Sequence, residues 1–436
     1  MSEETIRYSV TGATSEQIIA IGGKNTKSTR HGDIVFASLT KDQVNKLRSQ
    51  GYTVDELARV EAASPTAVID IGEEVEPPTP IEGEPLYTPS AIFAQLGFEE
   101  ARKLTDPMLY GEGINIAIID SGIRKSHVDI GEDSIVYEHD YTDETNPNPS
   151  DVFDHGTGVA HILRVAVPNS GILNLKILNN QGLGSPEDLV MAIDDCMSMH
   201  DDQLEYAPKI INLSLGIPYH QTSGYSDPVR VICREAISRN IWLIAAAGNA
   251  GPNPNTVMVP ALEKHVLAVG SCRFDPFEVS FWSSRGPSNE SPYIQKPDTV
   301  FLGENLLVAS GKGDTARVAK GGTSFATPFV AGLCAMYQEA ALIHQSVRYP
   351  EHLFGPLDLW ELIRMEDLID EHLIKFCVKP EYAGQGKDNN YGNGLPYGPL
   401  FTETIAPKPT RVFDASVMVT PMITLSMLSM LVKMMR

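Results

Sequence analysis

The sequence is short of cations. Against 56 aspartates and glutamates stand only 34 lysines and arginines, a formal net charge of −22 over 436 residues. A field of that sign repels nucleic acid and anionic lipid, which excludes polyanion binding as the main task. It leaves two readings of the acidity: solubility, and attraction of basic or cation-bound partners. Cysteine is scarce too. Cys196, Cys233, Cys272, Cys334 and Cys377 are scattered singly. An odd number without close pairs argues against a disulfide framework or a zinc site, and for buried thiols in a reducing compartment. No apolar run is long. The Met-rich stretch at 417–428 is broken by Pro421 and falls short of the roughly 20 residues that span a bilayer. Packing against the body is expected there, with membrane or partner attachment the secondary reading. Met1-Ser2-Glu3-Glu4-Thr5 carries neither a positive region nor an apolar run, so a cytoplasmic chain without a signal peptide is expected. There is no internal repeat.

What is present is ordinary globular material, 42% hydrophobic and 21% charged. The length calls for one large domain with smaller appendages. Four stretches separate by composition. Residues 1–64 suggest a small α+β unit: Ile34-Val35-Phe36-Ala37 as a strand, then Thr40 capping a helix whose Val44 and Leu47 share a face, Gly51 as its stop, and Tyr52-Thr53-Val54 extended. Residues 65–89 are acidic and Pro-rich, an extended linker. Residues 90–400 alternate apolar runs at 114–119, 174–178, 210–213 and 241–245 with helical patterns near 156–167, 186–200, 227–239 and 325–342. That alternation predicts an α/β domain with a mostly parallel central sheet covered by helices on both faces. Residues 401–436 form the Met-rich tail.

Four residues in the large stretch suggest chemistry. Asp120 ends an apolar run and precedes Ser121-Gly122, a place where functional groups gather in open parallel sheets; strand–Asp–Gly turns are also common punctuation. His155 lies in Asp154-His155-Gly156-Thr157-Gly158, ahead of a helix. Histidine is the usual general base, although a cap or a core histidine fits the same place. Ser324 lies in Gly321-Gly322-Thr323-Ser324-Phe325-Ala326-Thr327-Pro328, before an apolar helix through Val330, Leu333 and Met336. It is either an N-cap or a nucleophile whose developing oxyanion would meet free N–H groups and the positive helix end. Pro328 is expected within the tolerant first turn. Asn249, in Gly248-Asn249-Ala250-Gly251, could donate to an oxyanion or merely shape a turn.

These four strings, in the order Asp, His, Asn, Ser, resemble the subtilisin-like serine proteases, and the likeness runs from about 90 to 400. Further matches are Ile211-Asn212-Leu213-Ser214-Leu215-Gly216, Phe281-Trp282-Ser283-Ser284-Arg285-Gly286-Pro287, Lys296-Pro297-Asp298 and Tyr391-Gly392-Asn393-Gly394-Leu395. The resemblance implies the subtilisin-like three-layer fold and a serine endopeptidase acting on peptide or protein substrates. In it Ser324 is nucleophile, His155 base, Asp120 its orienter, and Asn249 an oxyanion donor beside the Ser324 N–H. It further implies that Ser214-Leu215-Gly216 and Ala246-Ala247-Gly248 flank the substrate as added strands. Residues 1–64 are similar to the family's propeptide, an α+β prodomain that assists folding and blocks the cleft until cut away in the linker.

The chain departs from the family pattern in places. Gly158 and His161 stand where His-Gly-Thr-His-Val-Ala-Gly has a histidine and a glycine. Val165-Ala166-Val167-Pro168-Asn169-Ser170 is too short for the usual calcium loop, and Phe301-Leu302-Gly303 replaces Ala-Pro-Gly. The resemblance implies no cofactor for the chemistry, leaves structural calcium open and brings no metal ligands. Two other readings stand beside the protease: a protease acting once on its own chain, and a non-catalytic module that captures peptide strands.

Overall fold

The computed structural model describes residues 5–56, 86–103, 108–143, 145–219, 224–274, 276–289, 294–348, 364–365 and 368–405. Most of the acidic linker (65–85) and the tail beyond 405 lie outside the described residues.

The N-terminal residues build β1 (Ile6–Thr11), α1 (Ser15–Ala20), β2 (Lys24–Ser28), β3 (Ile34–Leu39), α2 (Lys41–Ser49) and β4 (Thr53–Glu56). The strands form one antiparallel sheet in the order β2-β3-β1-β4. Both helices begin with a reciprocal cap. Thr14 pairs with Gln17 and Thr40 with Gln43, each hydroxyl taking the N3 amide while the glutamine side chain takes the cap's own N–H. Val44 and Leu47 are buried beneath α2 as their spacing predicts.

Helices α3 (Pro89–Gln95) and α4 (Phe98–Lys103) open the larger part. Tyr87 already bridges to Leu306 there. The sheet elements follow as β5 (Ile116–Asp120), β6 (Ile135–Asp140), α5 (Gly156–Ala166), β7 (Ile172–Lys176), α6 (Pro186–Asp201), β8 (Ile210–Leu213), α7 (Pro228–Ser238), β9 (Trp242–Ala246), β10 (Leu267–Arg273) and β11 (Glu278–Val279). After them come β12 (Thr299–Leu302), the hairpin of β13 (Leu306–Ala309) with β14 (Arg317–Lys320), and the long helix α8 (Thr323–Arg348). Eight strands form one sheet in the order β11-β10-β9-β8-β5-β7-β6, with β12 also on β10. Every pairing in it is parallel except β10 with β11. The predicted α/β class with its mostly parallel sheet is the observed one. The run expected at 174–178 starts two residues earlier.

Alternation along β5 shows how the sheet is covered. Ile116 and Ile118 join the cluster formed with Val159 and Ile162 of α5 and Phe329 and Leu333 of α8. Ala117 and Ile119 face the other way, into the cluster with Leu189 and Ile193 of α6 and Val229 and Ile232 of α7. Each isoleucine or leucine so buried contributes about 1.5–3 kcal/mol. Three layers result. All five cysteines are unpaired thiols.

Candidate active site

The chain places β7 on one side of β5 and β8 on the other. The order reverses at β5, and a crevice opens at the carboxyl ends of strands at such a switch point. Asp120 is the last residue of β5 and is buried. Its Oδ1 accepts the Ser121 N–H at 2.7 Å and pairs with His155 Nδ1 at 2.8 Å. His155 is buried as well, immediately ahead of α5.

What holds His155 there is Asp151, a residue that sequence reasoning missed. Its Oδ1 accepts the Ser121 hydroxyl at 2.9 Å and the N–H groups of Asp154 and His155 at 2.8 and 3.3 Å. Its Oδ2 accepts the Thr157 N–H at 2.9 Å. One carboxylate thus caps α5 and ties it to the loop after Asp120. Burial pushes the Asp151 carboxyl up, and its bonds to Thr157, Asp154 and Ser121 pull it back. Gly156 completes the junction. A β-carbon there would stand 2.2 Å from the Gly122 carbonyl oxygen, so the two loops meet only because it is glycine.

Ser324 is the second residue of α8 and not its cap. Its hydroxyl donates to the Ser214 carbonyl at 3.0 Å. The neighbouring Phe325 ring lies 5.0 Å from the His155 ring, between centroids. Asn249 Oδ1 accepts both the Thr323 N–H at 3.0 Å and the Thr323 hydroxyl at 2.9 Å. That leaves Nδ2 as the donor end of the amide. A β-carbon on Gly322 would stand 3.5 Å from Asn249 Nδ2 and 3.7 Å from the Ser324 nitrogen. The space this glycine leaves is therefore bordered by two N–H donors. The left-handed residue of the Asn249 turn is Gly248, at φ 107°, so turn shape alone does not require the asparagine.

Two expectations change. Pro328 is the sixth residue of α8, past the first turn where proline is free. The other concerns the substrate-flanking segment Ala246-Ala247-Gly248. Ala247 N–H donates to Val269 and its carbonyl accepts from Met258, while Gly248 N–H bonds the Thr323 hydroxyl and its carbonyl accepts from Ser284. With Ala246 inside β9, this segment offers a wall and little free edge. Met258 packs against both Gly216 and Gly248 and closes the space between the segments.

The departure at Gly158 is accompanied by close packing. A β-carbon at 158 would stand 2.9 Å from Val308 Cγ2 and 3.1 Å from Phe325 Cε1, so a histidine there requires both side chains to shift. His161, one turn later, instead accepts the Ala309 N–H on Nδ1 at 3.0 Å. Burial brings its pKa down to about 4, with Asp129 opposing and Arg317 and His127 assisting. Among the described residues, no group of three or more His, Cys, Asp or Glu is placed to hold a metal ion, and no helix is long and apolar enough to cross a membrane.

At its switch point the parallel α/β sheet therefore gathers a serine, a buried Asp–His pair and two N–H donors. The Subtilase family model matches residues 111–394. Serine protease AprX of Bacillus subtilis (strain 168) is 28% identical over 258 residues, 52% of this chain and 57% of its own length. Subtilisin of Bacillus sp. (strain TA39) is 26% identical over 353 residues, 72% of this chain and 78% of its own. Intracellular serine protease of Paenibacillus polymyxa is 28% identical over 246 residues, 53% of this chain and 68% of its own. The chain belongs to the subtilase family, the subtilisin-like serine endopeptidases.

Proposed function

We propose that the chain hydrolyses peptide bonds through Ser324, His155 and Asp120, and that it is made as a self-processing zymogen. Ser324 Oγ attacks the scissile carbonyl. His155 takes its proton and returns it to the leaving amine, while Asp120 holds the imidazole's tautomer and stabilises its charge. The Asn249 amide and the Ser324 N–H receive the oxyanion in the space beside Gly322. A substrate strand lies along Ser214-Leu215-Gly216, with Ala246-Ala247-Gly248 as the wall of the cleft. The observation that carries the reading is the 2.8 Å Asp120–His155 pair, both side chains 1% exposed, at the switch point.

Residues 1–64 act as the propeptide on this reading, with processing in the linker. Support comes from how the N-terminal sheet is seated. Ile34 and Phe36 of β3 enter the α6–α7 cluster, and Arg7 forms a two-bonded ion pair with Glu187 of α6. The same seating favours a second reading, a protease that acts once on its own chain. Turnover of an added peptide separates them: a general protease gives many product molecules per chain, a single-turnover enzyme gives one at most. Ser324→Ala is expected to lower that turnover by about a thousandfold or more with the fold retained. Wild-type rates in the variant contradict the assignment.

A further inference from the structure

The proline in α8 leaves a carbonyl to be accounted for. In a regular helix the N–H of residue 328 would bond the carbonyl of Ser324, four residues earlier. Proline has no N–H to give. An abandoned carbonyl inside the protein costs free energy comparable to a lost hydrogen bond, and this one belongs to Ser324 itself. The structure supplies a replacement from across the molecule. Ser214, just past the end of β8, donates its hydroxyl to the Ser324 carbonyl at 2.7 Å. Asn212 Nδ2 donates to the Ser214 Oγ at 3.0 Å, which occupies that oxygen as acceptor and aims its proton at Ser324. The Ser324 hydroxyl in turn donates to the Ser214 carbonyl. Asn212 and Ser214 are fully buried and Ser324 nearly so.

We infer that Ser214 is a positioning residue of the reaction: its hydroxyl substitutes for the N–H missing at Pro328 and fixes the opening turn of α8, and with it the attitude of the Ser324 hydroxyl and N–H. This rests on the triad reading above and adds a role to a residue otherwise placed there only for its main chain. Two anchors hold the turn from opposite sides. Asn249 takes the Thr323 N–H, and Ser214 takes the Ser324 carbonyl. Thr327 also donates its hydroxyl to the Thr323 carbonyl at 2.7 Å, a further side-chain bond in this turn. Small displacements of a nucleophile are expensive because rate depends on alignment.

The test is a double-mutant cycle of Ser214→Ala and Pro328→Ala, read as kcat and KM on a peptide ester and as the rate of fluorophosphonate labelling. Ser214→Ala alone is expected to lower kcat and labelling roughly ten- to hundredfold with KM little changed. Pro328→Ala restores the main-chain N–H and is expected to keep activity within a fewfold. In that background Ser214→Ala should then cost only a fewfold, because the helix now satisfies its own carbonyl. Equal losses in both backgrounds, or a loss carried by KM, overturn the inference while the triad stands. If Ser214→Ala alone is too unstable to assay, the double variant decides: activity near that of Pro328→Ala supports the inference and inactivity overturns it. A wild type that neither labels nor turns over defeats the triad reading, and this inference with it.

Discussion

At the scale of single residues, His161 shows how the neighbourhood of one side chain becomes a property of the whole chain. Its imidazole accepts an N–H, and burial, helped by Arg317 and His127 against the pull of Asp129, keeps it neutral in the folded state to about pH 4. In the unfolded chain it takes a proton near its ordinary pKa of about 6.5. The unfolded state therefore binds more protons between these values. Stability is fully present above about pH 6.5 and drains away as pH falls toward 4, by roughly 3 kcal/mol in all. Urea unfolding of Ser324→Ala chains from pH 7 to 4, with and without His161→Gln, checks this. A flatter pH dependence in the Gln variant is expected, and parallel curves contradict it. Other residues differ in how far the sequence discloses them. Asp120, His155, Asn249 and Ser324 are legible because each sits among small residues at an element's end. Asp151 is not. A carboxylate that caps a helix and gathers N–H groups from two loops looks, in one dimension, like any loop aspartate. Ser214 is legible as a position, but its partner lies 110 residues away, and the vacancy it fills comes from a proline that seems harmless until the helix start is known.

Among elements, β3 carries two cores. Val35, Ala37 and Leu39 point into the small N-terminal cluster, while Ile34 and Phe36 point into the α6–α7 cluster. A strand apolar on both faces predicts cover on both sides, and the second cover is the rest of the protein. Polar bonds fix where it lands. The Asp194 carboxylate of α6 accepts the N–H groups of Arg30 and His31 at 2.7 and 2.8 Å and pairs with His31 Nδ1 at 2.8 Å. His31 Nε2 reaches Asp201 at 2.9 Å. Asp194→Ala leaves those donors without their acceptor, at a cost of about 1–3 kcal/mol for each buried group. Hydrogen exchange in a Ser324→Ala chain is expected to speed up at Arg30 and His31 and stay unchanged in β5. Unchanged protection at both would show that the apolar face alone seats the sheet. In the larger part β5, β7, β8 and β9 are legible as buried apolar runs and α5 to α8 as helical patterns, whereas β6 and β10, six and seven residues long, are not. Strand β2, five residues of which none is apolar, was not. Nor were β12, β13 and β14, four residues each, since pairing partners and not composition make them strands.

For the molecule as a whole, the strand that is first along the larger sheet, β5, lies inside it, and the candidate site stands at its carboxyl end. Later strands are added on both sides. Residues 120, 155, 249 and 324 stand at the ends of elements around that point, and α6 and α7 cover the opposite face from α5 and α8. The β6–α5–β7 and β7–α6–β8 connections step across the sheet in the same direction yet pass over opposite faces, so the two have opposite hands and one departs from the right-handed rule. The N-terminal sheet then rests on α6 and α7, the cover farthest from α8. One measurement bears most directly on the central claim. Purified wild type and Ser324→Ala are each incubated with a fluorophosphonate and weighed intact by mass spectrometry. The account predicts a single adduct on the wild type, at Ser324, with loss of the N-terminal residues up to the linker, and neither change in the variant. A wild type without adduct, or a variant labelled or cut to the same extent, would contradict it.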